Sequence, residues 1–298
     1  MLEAKYGEII ALLTAFFWSF TAVSFEAAGK KVGSLSVNLI RLVIAVFLFV
    51  GYNWIVRGFP FPTDATVHNW TWLLLSGLIG FCIGDLCLFQ AFVVIGARMS
   101  MLIMSLVPPI TAVFGWMLMG ETLSGLGLLG MILTITGVAV VVLERNPDKD
   151  ISNFKHPITG VFLGLGGAIG QAIGLVLSKY GMRDYNAFAA TQIRIFAGVF
   201  GFILIFTFMK RWKKVLITLQ HKRAMGIISI GAFFGPFLGV AFSLLAIQHT
   251  QTGIASTIMA LVPVLIIPMA IIFFKERVTI REIIGALIAV VGVGLLFL

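Results

Sequence analysis

The chain has 298 residues, of which 60% are hydrophobic and only 11% charged, with a mean hydropathy of +1.08; a soluble chain of this length carries about a quarter charged residues to cover its surface. The composition therefore excludes a soluble globular protein and fits an integral membrane one. The net charge of +9 does not imply a nucleic-acid partner, because the Lys and Arg residues sit mainly in short connectors between apolar runs, where they report membrane orientation.

Membrane-spanning helices need runs of about 17–25 apolar residues. In chain order the sequence predicts ten, over 9–28, 35–56, 70–95, 98–119, 124–143, 158–179, 186–208, 224–247, 253–274 and 279–298, which gives an all-α integral membrane fold. The first run follows a mixture of acidic and basic residues and is long enough to span, so no cleavable leader is predicted. Cys82 and Cys87 lie five residues apart in the third run, on different sides of a helix, which fits packing and no disulfide or metal site. The longest connector, residues 144–157, is polar and lies near the middle of the chain. It divides a first unit, residues 1–146, from a second, 158–298, with 147–157 between them.

The two units repeat each other. Leu106, Val107, Pro108, Glu121, Gly130, Gly137, Val138 and Leu143 return 155 positions later as Leu261, Val262, Pro263, Glu276, Gly285, Gly292, Val293 and Leu298. Gly80, Gly84 and Ala91 keep that offset with Gly235, Gly239 and Ala246, whereas the earlier runs match at 153, as Arg41 with Arg194 and Trp18 with Gln171. Five spans per unit is an odd number, so the second copy enters from the opposite face and the ten helices form an inverted 5+5 repeat, a signature of alternating access. Glycines at four-residue spacing (Gly80 and Gly84; Gly166, Gly170 and Gly174; Gly231, Gly235 and Gly239) allow backbones to approach closely, as fixed packing or as sliding surfaces.

Connector charges give an orientation. Four Lys and Arg residues fall on the side of the amino terminus and fifteen on the other, which places both termini outside and the connector KRWKKVLITLQHKR in the cytoplasm.

Among the polar residues, Asp85 stands out. It sits about 22 Å along a helix beginning near Trp70, close to the midplane, where a carboxylate requires a partner or water. Its repeat equivalent is Val240, so the architecture does not demand a carboxylate; it is read as a proton carrier or a ligand for a cationic substrate group, or as half of a structural pair with an Arg or a local hydroxyl. Arg41 and Arg194 lie about 9–12 Å from their helix starts, near enough to snorkel to an interface or to meet an anionic substrate group. Trp18 and Gln171, with Gln90 and Gln192, are candidates for a shared central cavity. Glu26 reads as interfacial, and His249 as a connector residue. Pro108, Pro109, Pro263 and Pro268 interrupt the fourth and ninth runs, and Pro108 and Pro263 are candidate hinges or fixed kinks. Glu121 and Glu276, in the turns that follow, are expected to cap the next helix. No GxxxxGK[ST], G-x-S-x-G or H-E-x-x-H motif occurs, so neither ATP drive nor hydrolase chemistry is expected. The chain is not read as an enzyme, and no metal or cofactor is expected.

Several of these stretches occur together in a known order: FFWSFTAV, the Arg of NLIRLVIA and QIRIFAG, the SLVP and ALVP openings, the GETLS and KERVT turns, and the closing GMILTITGVAVVV and GALIAVVGVGLL. In this the chain resembles the ten-helix EamA-type permeases of the drug/metabolite transporter superfamily over its whole length. The resemblance implies a secondary transporter with a central cavity between helices from both halves, moving small metabolites such as amino acids or exporting toxic compounds. The chain is expected in the cell membrane as a monomer or homodimer, with protons, carried at Asp85, as the candidate coupling ion. The resemblance also implies cytoplasmic termini, against the charge count. The rival readings are a multidrug exporter for hydrophobic cations and, from another class, a membrane scaffold or lipid scramblase.

Overall fold

The computed structural model describes residues 5–95, 100, 103–144, 157–265 and 279–298. Every regular element among them is helical: α1 (Tyr6–Val32), α2 (Ser34–Arg57), α3 (Val67–Gly77), α4 (Asp85–Val94), α5 (Val107–Met119), α6 (Gly125–Glu144), α7 (Pro157–Met182), α8 (Ala187–Phe208), α9 (Trp212–Gln220), α10 (Lys222–Ala232), α11 (Val240–His249), α12 (Thr252–Met259) and α13 (Ile280–Leu296). This follows from the solvent, since hydrocarbon offers no partner to a backbone N–H or C=O and a helix satisfies its own. Among the described residues, seven stretches are long and apolar enough to cross a membrane: 6–29, 34–57, 67–91, 125–143, 158–182, 187–208 and 222–249. The predicted fourth and ninth spans run partly through residues outside those described, as do Pro268, Glu276 and most of the middle connector.

Helix ends are fixed by local chemistry. Thr66 and Asn69 cap α3 reciprocally, Asn69 N donating to Thr66 Oγ1 at 3.2 Å and Thr66 N to Asn69 Oδ1 at 2.9 Å. Thr279 and Glu282 do the same for α13. Asn186 caps α8, accepting from Phe188 N and Ala189 N. Gly58 ends α2 at φ 80°, where a residue with a Cβ would be strained.

Two wide π-helical turns were not readable as apolar runs. Leu78–Gly84 joins α3 to α4 and Phe233–Gly239 joins α10 to α11, and they begin 155 positions apart. The second contains Pro236, whose missing N–H is tolerated where the bonding register shifts. The first packs on α7 through bare backbone: a Cβ on Gly170 would lie 2.7 Å from Gly84 Cα, and one on Gly174 2.9 Å from Gly80 Cα. The second packs on α1 differently, with Gly239 lying under Trp18, Gly235 against Thr21, and Gly231 of α10 under Phe25. A third close contact joins α6 to α13, where a Cβ on Gly137 would fall 2.4 Å from Ala289 N and one on Gly292 2.5 Å from Thr134 N.

Candidate functional site

A cavity of about 200 Å³ lies inside the bundle between these elements. Its charged wall is built from two helices. Arg41 on α2 forms an ion pair with Asp85, the first residue of α4, through Nη2 and Oδ2. Gln171 on α7 donates from Nε2 to the other carboxylate oxygen at 2.5 Å. Arg41 Nε donates to Asn38 Oδ1 at 3.0 Å, and the guanidinium lies 5.3 and 5.0 Å from the ring centres of Phe25 and Phe89. Arg41 and Asp85 are each about 5% exposed. Asp85 follows directly on the π turn, and an extra residue in a turn rotates everything after it by about 100°. That rotation is how an acidic position in an apolar run comes to face the cavity.

The rest of the lining comes from both units at corresponding places. Trp18 and Gln171 line it, as do Ala22 and Leu175, 153 positions apart; so do Phe81 and Pro236, Asp85 and Val240, Met104 and Met259, and Ser105 and Ala260, 155 apart. The fourth and ninth runs are both interrupted here. Turns at 105–106 and 260–261 precede the helical segments that restart at Val107 and Val262. Pro108 and Pro263 therefore occupy first turns of restarted helices, where a missing N–H breaks no hydrogen bond; the sequence alone had them bending continuous spans. Pro263 itself lines the cavity.

The remaining candidates are placed elsewhere. Arg194 does not line the cavity: it is buried, its guanidinium lies 4.9 Å from the ring centre of Phe81, and its Nε has no hydrogen-bond partner among the described residues. Neither it nor Arg41 snorkels to an interface. Gln192 spends its amide on structure, accepting from Asn53 Nδ2 at 2.8 Å and donating to Pro60 O at 2.9 Å. Gln90 is exposed and away from the cavity lining. The side chain of Glu26 lies outside the described residues.

The end of the bundle that carries the start of α1 is fastened by a polar network that links the units. Glu8 Oε1 accepts from Thr250 Oγ1 at 3.0 Å, and Lys179 Nζ donates to Thr250 O at 2.6 Å and pairs with Glu121 Oε1 at 2.7 Å. Glu121 Oε2 accepts from Thr252 N and Oγ1 at 2.8 and 2.6 Å. Glu121 thus caps α12 in the other unit instead of the next helix, α6, as expected from sequence. Nearby, in the connectors, Asp64 accepts from Arg57 Nη2 at 2.5 Å and from Tyr185 Oη at 2.8 Å. Burial alone would push the Asp64 carboxyl up, but these hydrogen bonds and the Arg57 charge outweigh it and hold it below its usual value. Burial and the bond to Asp64 push the Tyr185 phenol up to about 12.

Sequence reasoning had no means of finding the cavity residues Phe25, Phe81, Phe89 and Met104, since apolar side chains facing a cavity and facing a neighbour look alike in sequence. The constant offsets were the one available signal, because a residue whose repeat equivalent lines the cavity is itself a candidate.

Known proteins agree with this architecture. The EamA-like transporter family matches residues 5–143 and again 158–298. An uncharacterized transporter of Archaeoglobus fulgidus is 22% identical over 290 residues, covering 97% of each chain. A probable transport protein of Saccharomyces cerevisiae is 22% identical over 202 residues, 60% of this chain and 57% of that protein. One solved crystal structure superposes with a TM-score of 0.73 at 16% identity, over 97% of this chain and 95% of the other, a likeness of fold.

Proposed function

The chain belongs to the EamA-like transporter family and is a multi-pass membrane protein, and from that premise we propose that it is a secondary-active permease that exports or exchanges small zwitterionic metabolites, amino acids among them, by alternating access. The proposal includes ten spans in an inverted 5+5 arrangement, supported by the paired π turns and the paired cavity lining. It also includes termini outside the cell membrane, supported by the connector charges.

The observation that carries the reading is the buried Arg41–Asp85 pair in a cavity wall. A substrate carboxylate exchanges for Asp85 at the Arg41 fork, and a substrate ammonium exchanges for Arg41 at Asp85 and Gln171 Oε1. The internal pair and the bound zwitterion are alternative partners for the same groups, so neither charge is left bare in the membrane. Trp18, Phe25 and Phe81 cover the apolar part. For the end that carries the start of α1 to open, the Glu8, Thr250, Lys179 and Glu121 network must part. Asp85 is the proposed proton carrier once the substrate has drawn Arg41 away.

The aromatic walls favour one other reading, export of hydrophobic cations at Asp85. Two features weigh against it: Arg41 cancels the charge that would hold a cation, and about 200 Å³ falls below the 300–1,000 Å³ of drug-sized pockets. In proteoliposomes with an imposed pH gradient, the expected result is saturable uptake of one or more amino acids, no uptake of lipophilic cations, and loss of the pH dependence in Asp85→Asn. Uptake of cations alone would overturn the substrate class, and unchanged pH dependence in Asp85→Asn would overturn the coupling role.

A further inference from the structure

The chain between the spans of α8 and α10 is the short helix α9, WKKVLITLQ, where the sequence alone shows only a basic connector. The corresponding connector of the first unit, 58–66, has no helix. The chain is turned into α9 sharply. Lys210 takes a left-handed backbone at φ 52°, and Arg211 N closes the end of α8 on Phe206 O at 3.1 Å. A non-glycine residue there is strained, so a lysine stands where glycine would fit better. Trp212 anchors the new direction, its ring 5.6 Å from Phe206 and its Nε1 donating to Thr207 Oγ1 at 3.3 Å.

At about 100° per residue, the side chains of α9 divide into arcs. Val215 and Thr218 are buried against the bundle. Trp212, Leu216 and Leu219 form the adjoining arc, and all three are 40% exposed or more. Lys214 lies opposite that arc, and Lys213 points away from the bundle. Lys210, Arg211, Lys222 and Arg223 flank the helix, also exposed. None of these six cations has an ion-pair or hydrogen-bonding side-chain partner among the described residues. The sequence also has no Asp or Glu between Asp184 and Glu276, so the neutralising charge must come from outside this part of the chain.

We propose that α9 lies in the membrane interface as a binding surface for anionic phospholipid headgroups, with Trp212, Leu216 and Leu219 among the acyl chains and Lys210, Arg211, Lys213 and Lys214 on the phosphates. An apolar arc with lysines beside and opposite it, the exposed Ile217 lying between those lysines, on a helix held between two spans, has the form of an interfacial anchor. Basic residues at such a place are each worth about fivefold in association with an anionic surface. The surface is separate from the cavity and independent of what the cavity carries.

The test uses the full chain in nanodiscs of equimolar phosphatidylcholine and phosphatidylglycerol, with the lipids retained on release read by native mass spectrometry. The wild type is expected to retain phosphatidylglycerol preferentially. The variant with Lys210→Gln, Arg211→Gln, Lys213→Gln and Lys214→Gln should lose at least about tenfold of that preference, whereas Lys→Arg at 210, 213 and 214 keeps it. A separate variant, Leu216→Gln with Leu219→Gln, should lose it in part. Each variant is compared at an unchanged melting midpoint in detergent, because every altered residue is exposed. No preference in the wild type, equal preference in the Gln variant, or binding of soluble heparin without preference for phosphatidylglycerol would overturn the proposal.

Discussion

The two π turns share a shape and differ in what they hold. At the first, glycine backbone of α7 meets glycine backbone, and the polar group that follows, Asp85, is clamped by Arg41 and Gln171. At the second, the glycines receive Trp18 and Thr21, and the residue that follows is Val240. One contact is backbone on backbone beside a fixed charge; the other is side chains in glycine sockets beside an apolar wall. Corresponding places in the two units line the cavity, and departures from the repeat give its two walls different chemistry. The contrast also separates a contact that cannot yield from one that can.

The largest expected effect breaks the charged side of this contrast. Asp85→Asn leaves Arg41 buried without its counter-charge and should cost about 3–5 kcal/mol of stability, seen as a lower thermal midpoint in detergent. Adding Arg41→Gln should recover most of that loss while pH-dependent transport stays absent. If the double variant is no more stable than Asp85→Asn, the pair is not what holds the carboxylate. The corresponding change Val240→Thr should be nearly silent.

A smaller effect sharpens the packing side. Gly170→Ala presses a Cβ on the backbone of Gly84 and should cost about 1–3 kcal/mol. Gly235→Ala meets the movable Thr21 side chain, should cost less, and should be relieved by Thr21→Ala. Equal losses at the two sites, read by the same thermal midpoints, would erase the distinction.

The smallest effect lies outside the membrane, in the connectors of the two units. Asp64 is held low, so its contribution is present above the ordinary carboxylate pKa and is lost as pH falls through its depressed value. Tyr185 is held high, so its contribution is present below the ordinary tyrosine pKa of about 10 and is lost as pH rises toward about 12. Tyr185→Phe should remove the alkaline loss and move the acid loss to higher pH, each by less than about 1 kcal/mol since Asp64 is partly exposed. Melting midpoints across the pH range check both signs.

An all-helical chain with several long apolar spans was legible because membrane helices need long apolar runs, and the repetition in the sequence was legible because Arg41 and Arg194 keep an offset of 153 and Gly80 and Gly235 one of 155. That Asp85 needed a partner was legible too; which Arg supplies it was not. The two arginines are equivalent in the repeat, and the choice depends on the rotation imposed by a π turn that apolar composition does not encode. For the same reason Gln192 and Gln90 could not be separated from Gln171: an amide in an apolar helix announces a need for partners and not the face on which it finds them. In α9 the signal was present, with apolar residues at 212, 215, 216 and 219 inside a basic connector, and it was masked by the density of positive charge.

The contact between α6 and α13 bears on how such a bundle moves. Gly130, Gly137, Gly285 and Gly292 bring two backbones into direct contact, with Leu296, Val140 and Thr134 the side chains that reach the seam, so little of this contact can yield by changing rotamers. Because one of these helices belongs to each unit, the seam ties the two units together by close backbone contact, and under the proposed alternating access the two helices are expected to move as one.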